Sequence, residues 1–122
     1  MNIYLTARFQ RREEMRQHRE TLRSAGHNVI SRWLDEADGT PPADAAAVDI
    51  DDIDQCSVLI VFTETPNVGY YTGGRHVELG YAIGTHKRVI IVGPREDIFC
   101  HLSSIKAVGD LESAMQLLKA TT

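Results

Sequence analysis

The chain has 122 residues, 43% of them hydrophobic and 25% charged, with a formal net charge of −4. This is the composition of one ordinary globular domain with a single core, and the negative balance gives no overall attraction to a nucleic-acid polymer. No apolar run approaches the roughly 20 residues of a membrane span. The start, Met1-Asn2-Ile3-Tyr4-Leu5, lacks the basic and apolar regions of a secretion signal, so a cytoplasmic protein is expected.

In chain order, residues 2–6 form a short apolar strand. Residues 9–25 carry helical periodicity, with Phe9, Met15 and Leu22 among the apolar positions, and Gly26 is a C-terminal stop. Six arginines, at 8, 11, 12, 16, 19 and 23, crowd this region, but Glu13, Glu14 and Glu20 are interleaved. That is the pattern of a solvated helix face with neutralising partners. Residues 27–31 form a second strand. Residues 34–44 hold Gly39, Pro41 and Pro42 and read as a loop. An acidic helix follows over 45–55, with Ile50 and Ile53 facing inward. Asp49 and Asp52 share a face of it, so at least one carboxylate can reach a ligand crevice, while Asp51 and Asp54 read as solvent-facing.

Residues 57–63 form a continuous apolar strand, the type buried on both faces of a parallel sheet. A second loop, 64–73, contains Pro66, Asn67, Gly69, Tyr70 and Tyr71. The helix over 74–86 opens on Gly73-Gly74 and carries Glu78, and its small residues Gly80, Ala82 and Gly84 permit close packing on a sheet. Residues 89–92 form a fourth strand and 105–108 a weak fifth. Asp110 caps a last helix whose buried face is Leu111, Met115, Leu117 and Leu118.

This alternation predicts an α/β fold: a flavodoxin/Rossmann-like three-layer sandwich in one domain, 1–122, on a five-stranded parallel sheet of order 2-1-3-4-5. In such sheets ligands bind outside the carboxyl ends of the strands, where the strand order switches. Here that is the gap between the first and third strands, which sets Tyr4 to Phe9 beside the loop leading to Glu78. The helix after Thr6-Ala7-Arg8-Phe9 begins there with free N–H groups, and Arg8 adds a donor for phosphate or carboxylate. No G-x-G-x-x-G or P-loop pattern is present, so neither a dinucleotide nor a triphosphate with magnesium is indicated.

Metal chemistry has little support. His76-Val77-Glu78 matches the H-x-E of zinc deaminases, but no C-x-x-C follows. The two cysteines, Cys56 and Cys100, lack metal spacing and read as reduced thiols packed as small apolar groups. No cofactor is expected.

Three motifs, in order and on the expected elements, resemble the nucleoside 2-deoxyribosyltransferase family, which includes the 2'-deoxynucleoside 5'-monophosphate N-hydrolases. They are Ile3-Tyr4-Leu5-Thr6-Ala7, the acidic position Asp49, and Glu78-Leu79-Gly80-Tyr81-Ala82 followed by Lys87-Arg88-Val89. The resemblance runs from Ile3 to about Ile105. It implies that Glu78 attacks C1' of the sugar to form a covalent glycosyl-enzyme, that Tyr4 orients the Glu78 carboxylate, and that Asp49 assists the leaving base or binds the sugar. It implies homodimers or larger homo-oligomers.

Transferases acting on free nucleosides place an aspartate six residues before the nucleophile, where this chain has Thr72. A hydroxyl donates to a 5'-phosphate that a carboxylate would repel. Gly74 offers a bare N–H, Thr6 lies in the first turn, Arg8 and Arg75 add positive charge, and Ser103 stands where the hydrolases present a serine to the phosphate, often from a neighbouring subunit. The resemblance therefore favours hydrolysis of a nucleoside 5'-monophosphate over base exchange on free nucleosides. Two further readings stay open: a non-catalytic nucleotide-sensing module, and an NAD glycohydrolase.

The chain departs from the family in three places. Thr6-Ala7 replace a common glycine. The 63–73 loop is longer than in the hydrolases, with Tyr70 and Tyr71 either a stacking lid or simple packing. The tail 119–122 offers little to a neighbour's site.

Overall fold

In a computed structural model of the chain, residues 1–66 and 73–120 are described. The loop residues Asn67, Gly69, Tyr70, Tyr71 and Thr72, and the tail residues Thr121 and Thr122, lie outside them. Five strands, β1 (Asn2–Thr6), β2 (Asn28–Val29), β3 (Val58–Phe62), β4 (Arg88–Val92) and β5 (Lys106–Val108), form one parallel sheet of order β2-β1-β3-β4-β5. The register runs Ile3 to Val29 and Val58, Thr6 to Val61, Val61 to Ile91, and Ile91 to Ala107. Every residue of β3 is buried, which in a parallel sheet requires helices on both faces. These are α1 (Arg12–Ser24), α2 (Pro42–Gln55), α3 (Gly74–Gly84) and α4 (Leu111–Ala120). The expected α/β sandwich and strand order are what the structure has. No helix among the described residues is long and apolar enough to cross a membrane.

Local chemistry explains the helix ends. Gly26, at φ 93°, takes the left-handed conformation just after α1. Pro42 opens α2 at a position where its missing N–H costs nothing. Gly73, at φ 90°, turns the chain into α3. Asp110 accepts a 2.8 Å hydrogen bond from the Ser113 N–H at the start of α4. At the carboxyl end of the sheet, Thr63 Oγ1 donates to the Pro94 carbonyl at 2.6 Å. Gly93 has φ 122°, and a Cβ there would stand 2.5 Å from that same hydroxyl oxygen.

Several expectations are corrected. The periodic helix begins at Arg12, because Phe9–Arg11 form a 3-10 turn, and Phe9 is 56% exposed rather than part of the core. The second strand is two residues long rather than five. Beyond it, side chains replace the ladder: the Ser31 hydroxyl accepts from the Leu5 N–H at 2.7 Å and Trp33 Nε1–H donates to the Leu5 carbonyl at 2.8 Å. The 34–44 loop is bracketed by structure, a 3-10 helix over Arg32–Asp35 and the first turn of α2. Ile53 is buried but Ile50 only half so, and Asp52 takes the inward place. Gly80 and Gly84 face open space, so α3 meets the sheet through Leu79 and Ala82. On α4, Leu111, Ala114 and Leu118 are buried while Met115 and Leu117 are half-buried.

Candidate active site

Tyr4 and Thr6 are two residues apart on β1, so their side chains leave the same face of the sheet. Both point at Glu78. The Tyr4 hydroxyl donates to Glu78 Oε2, and Thr6 Oγ1 donates to Oε1 at 2.8 Å. Both oxygens of the carboxylate are thereby fixed by hydroxyls of an interior strand of the sheet. Glu78 lies in the second turn of α3, and the cavity at the switch point runs past it. Ala7, Arg8 and Phe9 form one wall, Trp33, Glu36, Ala45 and Asp49 another, and Gly73, Gly74 and Arg75 the start of α3.

The ionisation states follow from these surroundings. Burial pushes the Tyr4 phenol far above its ordinary range, with the Glu78 charge adding to the effect, so Tyr4 is a neutral donor. Burial raises the Glu78 carboxyl, and the Tyr4 and Thr6 hydrogen bonds pull it back down by favouring the anion. Asp49 is pushed up to about 7, first by burial, then by the Glu78, Glu36 and Asp52 charges, with the Tyr4 hydroxyl opposing. Asp49 Oδ1 is buried with no hydrogen-bond partner among the described residues. Two carboxyl groups in one cavity thus differ in kind: Glu78 has hydroxyls stabilising its anion, and Asp49 holds a proton near neutrality.

The other acidic residues of α2 have structural work. Asp52, 5% exposed, accepts from the Arg32 backbone N–H at 2.9 Å and from Arg32 Nε at 2.8 Å, anchoring the segment that carries Trp33 and Glu36. Asp51 pairs with the same guanidinium at 3.0 Å, and Asp54 accepts from the Tyr81 hydroxyl at 2.5 Å.

Of the residues proposed from sequence, the cavity brings together Asp49, Arg8, Gly74, Arg75 and Glu78, with Tyr4 and Thr6 behind Glu78. The N-terminus of α3, where the His76 N–H donates to the Gly73 carbonyl at 3.0 Å, borders the cavity at Gly73 and Gly74. Arg8 Nε lies 3.1 Å from Glu64, a buried carboxylate that Arg11 also meets at 2.6 Å. Arg75 is 4% exposed, and its two terminal nitrogens grip Glu96 at 2.5 and 2.7 Å. Its charge is directed to Glu96, tying the start of α3 to the segment after β4. Ser103 is exposed and is not among the residues lining this cavity. Thr72 lies outside the described residues.

Sequence reasoning missed Glu64, Trp33, Glu36 and Glu96. No group of three or more His, Cys, Asp or Glu side chains able to hold a metal ion occurs among the described residues.

No family model matches the chain, and no curated protein matches it. Among solved structures, the fold is shared with a CMP N-glycosidase of Clostridium botulinum, BcmB. The TM-score is 0.71 at 19% sequence identity, over 98% of this chain and 99% of that one. At that identity the likeness is one of fold, end to end.

Proposed function

We propose that this protein belongs with the nucleoside 2-deoxyribosyltransferases and cleaves the N-glycosidic bond of a nucleoside 5'-monophosphate, releasing the free base. The observation that carries this reading is the Glu78 carboxylate held at both oxygens by Tyr4 and Thr6, with a protonatable Asp49 in the same cavity. The end-to-end fold likeness to a protein described as a CMP N-glycosidase supports it.

In the mechanism, the Glu78 anion attacks C1' as the bond to the base breaks through an oxocarbenium-like transition state. Asp49 gives its proton to the departing base, which leaves neutral. Asp49, now anionic, takes a proton from water as that water attacks C1' and frees the sugar phosphate from Glu78. The Tyr4 and Thr6 hydroxyls keep the carboxylate from rotating and accept its changing charge. Arg8 and the positive end of the α3 dipole meet the 5'-phosphate.

A second copy of the chain would complete the site. Val77 on α3, and Ile98, Phe99 and Leu102 after β4, are exposed apolar side chains, and Ser103 follows Leu102 in the chain. A partner covering these residues brings Ser103 into the interface.

Incubation with nucleoside 5'-monophosphates and with free nucleosides, followed by chromatography of free base, tests the reading. Base release in proportion to enzyme, lowered about a thousandfold or more in Glu78→Gln, is expected. A purified, folded Glu78→Gln variant with full activity would refute it. A base exchanged faster than water is consumed would make the chain a transferase.

A further inference from the structure

Leu5 stands between Tyr4 and Thr6, the two residues whose hydroxyls hold Glu78. Successive residues of an interior strand direct their backbone N–H and C=O groups alternately to the two neighbouring strands. On β1 the Asn2 carbonyl accepts from the Ser57 N–H on the β3 side at 2.9 Å. The Met1 and Ile3 carbonyls accept on the β2 side, from Asn28 and Ile30, both at 3.0 Å. The next rung on the β2 side belongs to Leu5. By then β2 has ended, whereas pairing with β3 runs on to Thr6. The half of β1 that carries the two hydroxyls therefore has a strand on one flank only.

Two buried side chains occupy the other flank. The Ser31 hydroxyl accepts from the Leu5 N–H at 2.7 Å, and Trp33 Nε1–H donates to the Leu5 carbonyl at 2.8 Å. Arg32, between them, is tied to α2: its backbone N–H and its Nε donate to the two oxygens of Asp52 at 2.9 and 2.8 Å. The segment is thus anchored to a helix and does not rest on β1 alone. Ser31 is not among the residues that line the cavity.

We infer that Ser31 and Trp33 are positioning residues for Glu78: by holding both backbone polar groups of Leu5, they fix the end of β1 from which Tyr4 and Thr6 reach the carboxylate. Without the Ser31 hydroxyl, the Leu5 N–H is a buried donor with no partner, and the strand must shift to find one. Tyr4 and Thr6 flank Leu5, so the shift passes directly to their side chains. Hydrogen bonds weaken steeply as their angle departs from the optimum, and the carboxylate is then free to turn.

This inference rests on the reading of Glu78 as the nucleophile, and the two are tested apart. With glutamate labelled at its side-chain carboxyl carbon, NMR follows the titration of Glu78 with no substrate present, its signal identified by its loss in Glu78→Gln. The titratable groups coupled to Glu78 are Tyr4, a neutral donor, and Asp49, which carries no label. Both hydroxyls favour the Glu78 anion, so a loosened clamp raises the midpoint. Ser31→Ala should move the midpoint to higher pH, in the sense of Thr6→Val, and lower kcat about tenfold with KM little changed. Trp33→Phe keeps a ring and deletes the donor. It should move the midpoint the same way, and it carries the test if Ser31→Ala does not fold. Asp110→Ala removes the cap of α4, outside the cavity lining. It should lower stability while midpoint and kcat stay at wild-type values. A midpoint or a kcat in Ser31→Ala that matches Asp110→Ala would overturn the assignment. A raised midpoint in Ser31→Ala, with no base released by the wild type, would refute the glycosidase reading and leave the positioning roles standing.

Discussion

Thr6 Oγ1 donates to Glu78 Oε1 at 2.8 Å, joining residues 72 positions apart in the chain. With Tyr4 on the other oxygen, this defines how the carboxylate is aimed. Thr6→Val and Tyr4→Phe each delete one donor with little change of volume. Each should lower kcat by about 10- to 100-fold with a smaller effect on KM. Both hydrogen bonds hold the Glu78 carboxyl down, so losing either raises it. The acidic limb of the pH–rate profile should shift to higher pH in both variants. An unshifted limb would mean that the hydroxyls do not act on Glu78.

Asp49 gives a pH signature of opposite sense. Its carboxyl is raised in the folded chain to about 7 from an ordinary 3.8. Between those values the folded state holds a proton that the unfolded state has lost, so stability falls as pH rises through this window. Activity that needs the proton should fall above pH about 7. Asp49→Asn removes the ionisation. It should be more stable than wild type at pH 8, on the order of 1 kcal/mol after solvent screening of this half-buried group, and the difference should vanish near pH 4. Thermal melts of both proteins across pH 4–8 check this.

The Arg75–Glu96 pair predicts a stability effect. Glu96→Ala leaves the guanidinium, which is 4% exposed as a residue, without its bidentate partner. About 3 kcal/mol should be lost, read as a lower urea midpoint at an unchanged slope. Conservative Glu96→Gln keeps one acceptor and should lose less.

Gly93→Ala tests the close approach of the β3 and β4 ends. The residue has φ 122°, and its new Cβ would meet Thr63 Oγ1 at 2.5 Å. A cost of about 2 kcal/mol or more is expected in equilibrium unfolding. Pairing it with Thr63→Ala should recover the steric part and leave the backbone strain.

The fold was legible because its signals are local. Continuous burial of Val58–Phe62, the glycines after α1 and before α3, and Asp110 at the last helix start each leave a mark in a few adjacent residues. Phe9 shows the limit. It fits the helical period, but the regular helix starts three residues later and the ring faces outward. Tyr4 and Glu78 were paired only through family resemblance, since no local pattern ties a strand residue to a distant helix. Glu64 could not be found from its neighbours: a glutamate after a strand reads as loop, and two arginines more than 50 residues upstream are what bury it. Trp33 is likewise placed by one hydrogen bond to Leu5.

β1 lies in the interior of the sheet, between β2 and β3, and supplies both hydroxyls that hold Glu78. During synthesis, β1 leaves the ribosome before the helix carrying Glu78 and must wait for it before its task exists. Neither half of the chain owns the reaction centre. A fragment ending before residue 73 would have the clamp and nothing to clamp, and the complementary fragment would have a carboxylate free to turn. Recovery of turnover on mixing two such fragments would report that β4 had paired with β3 and brought α3, with Glu78, against β1.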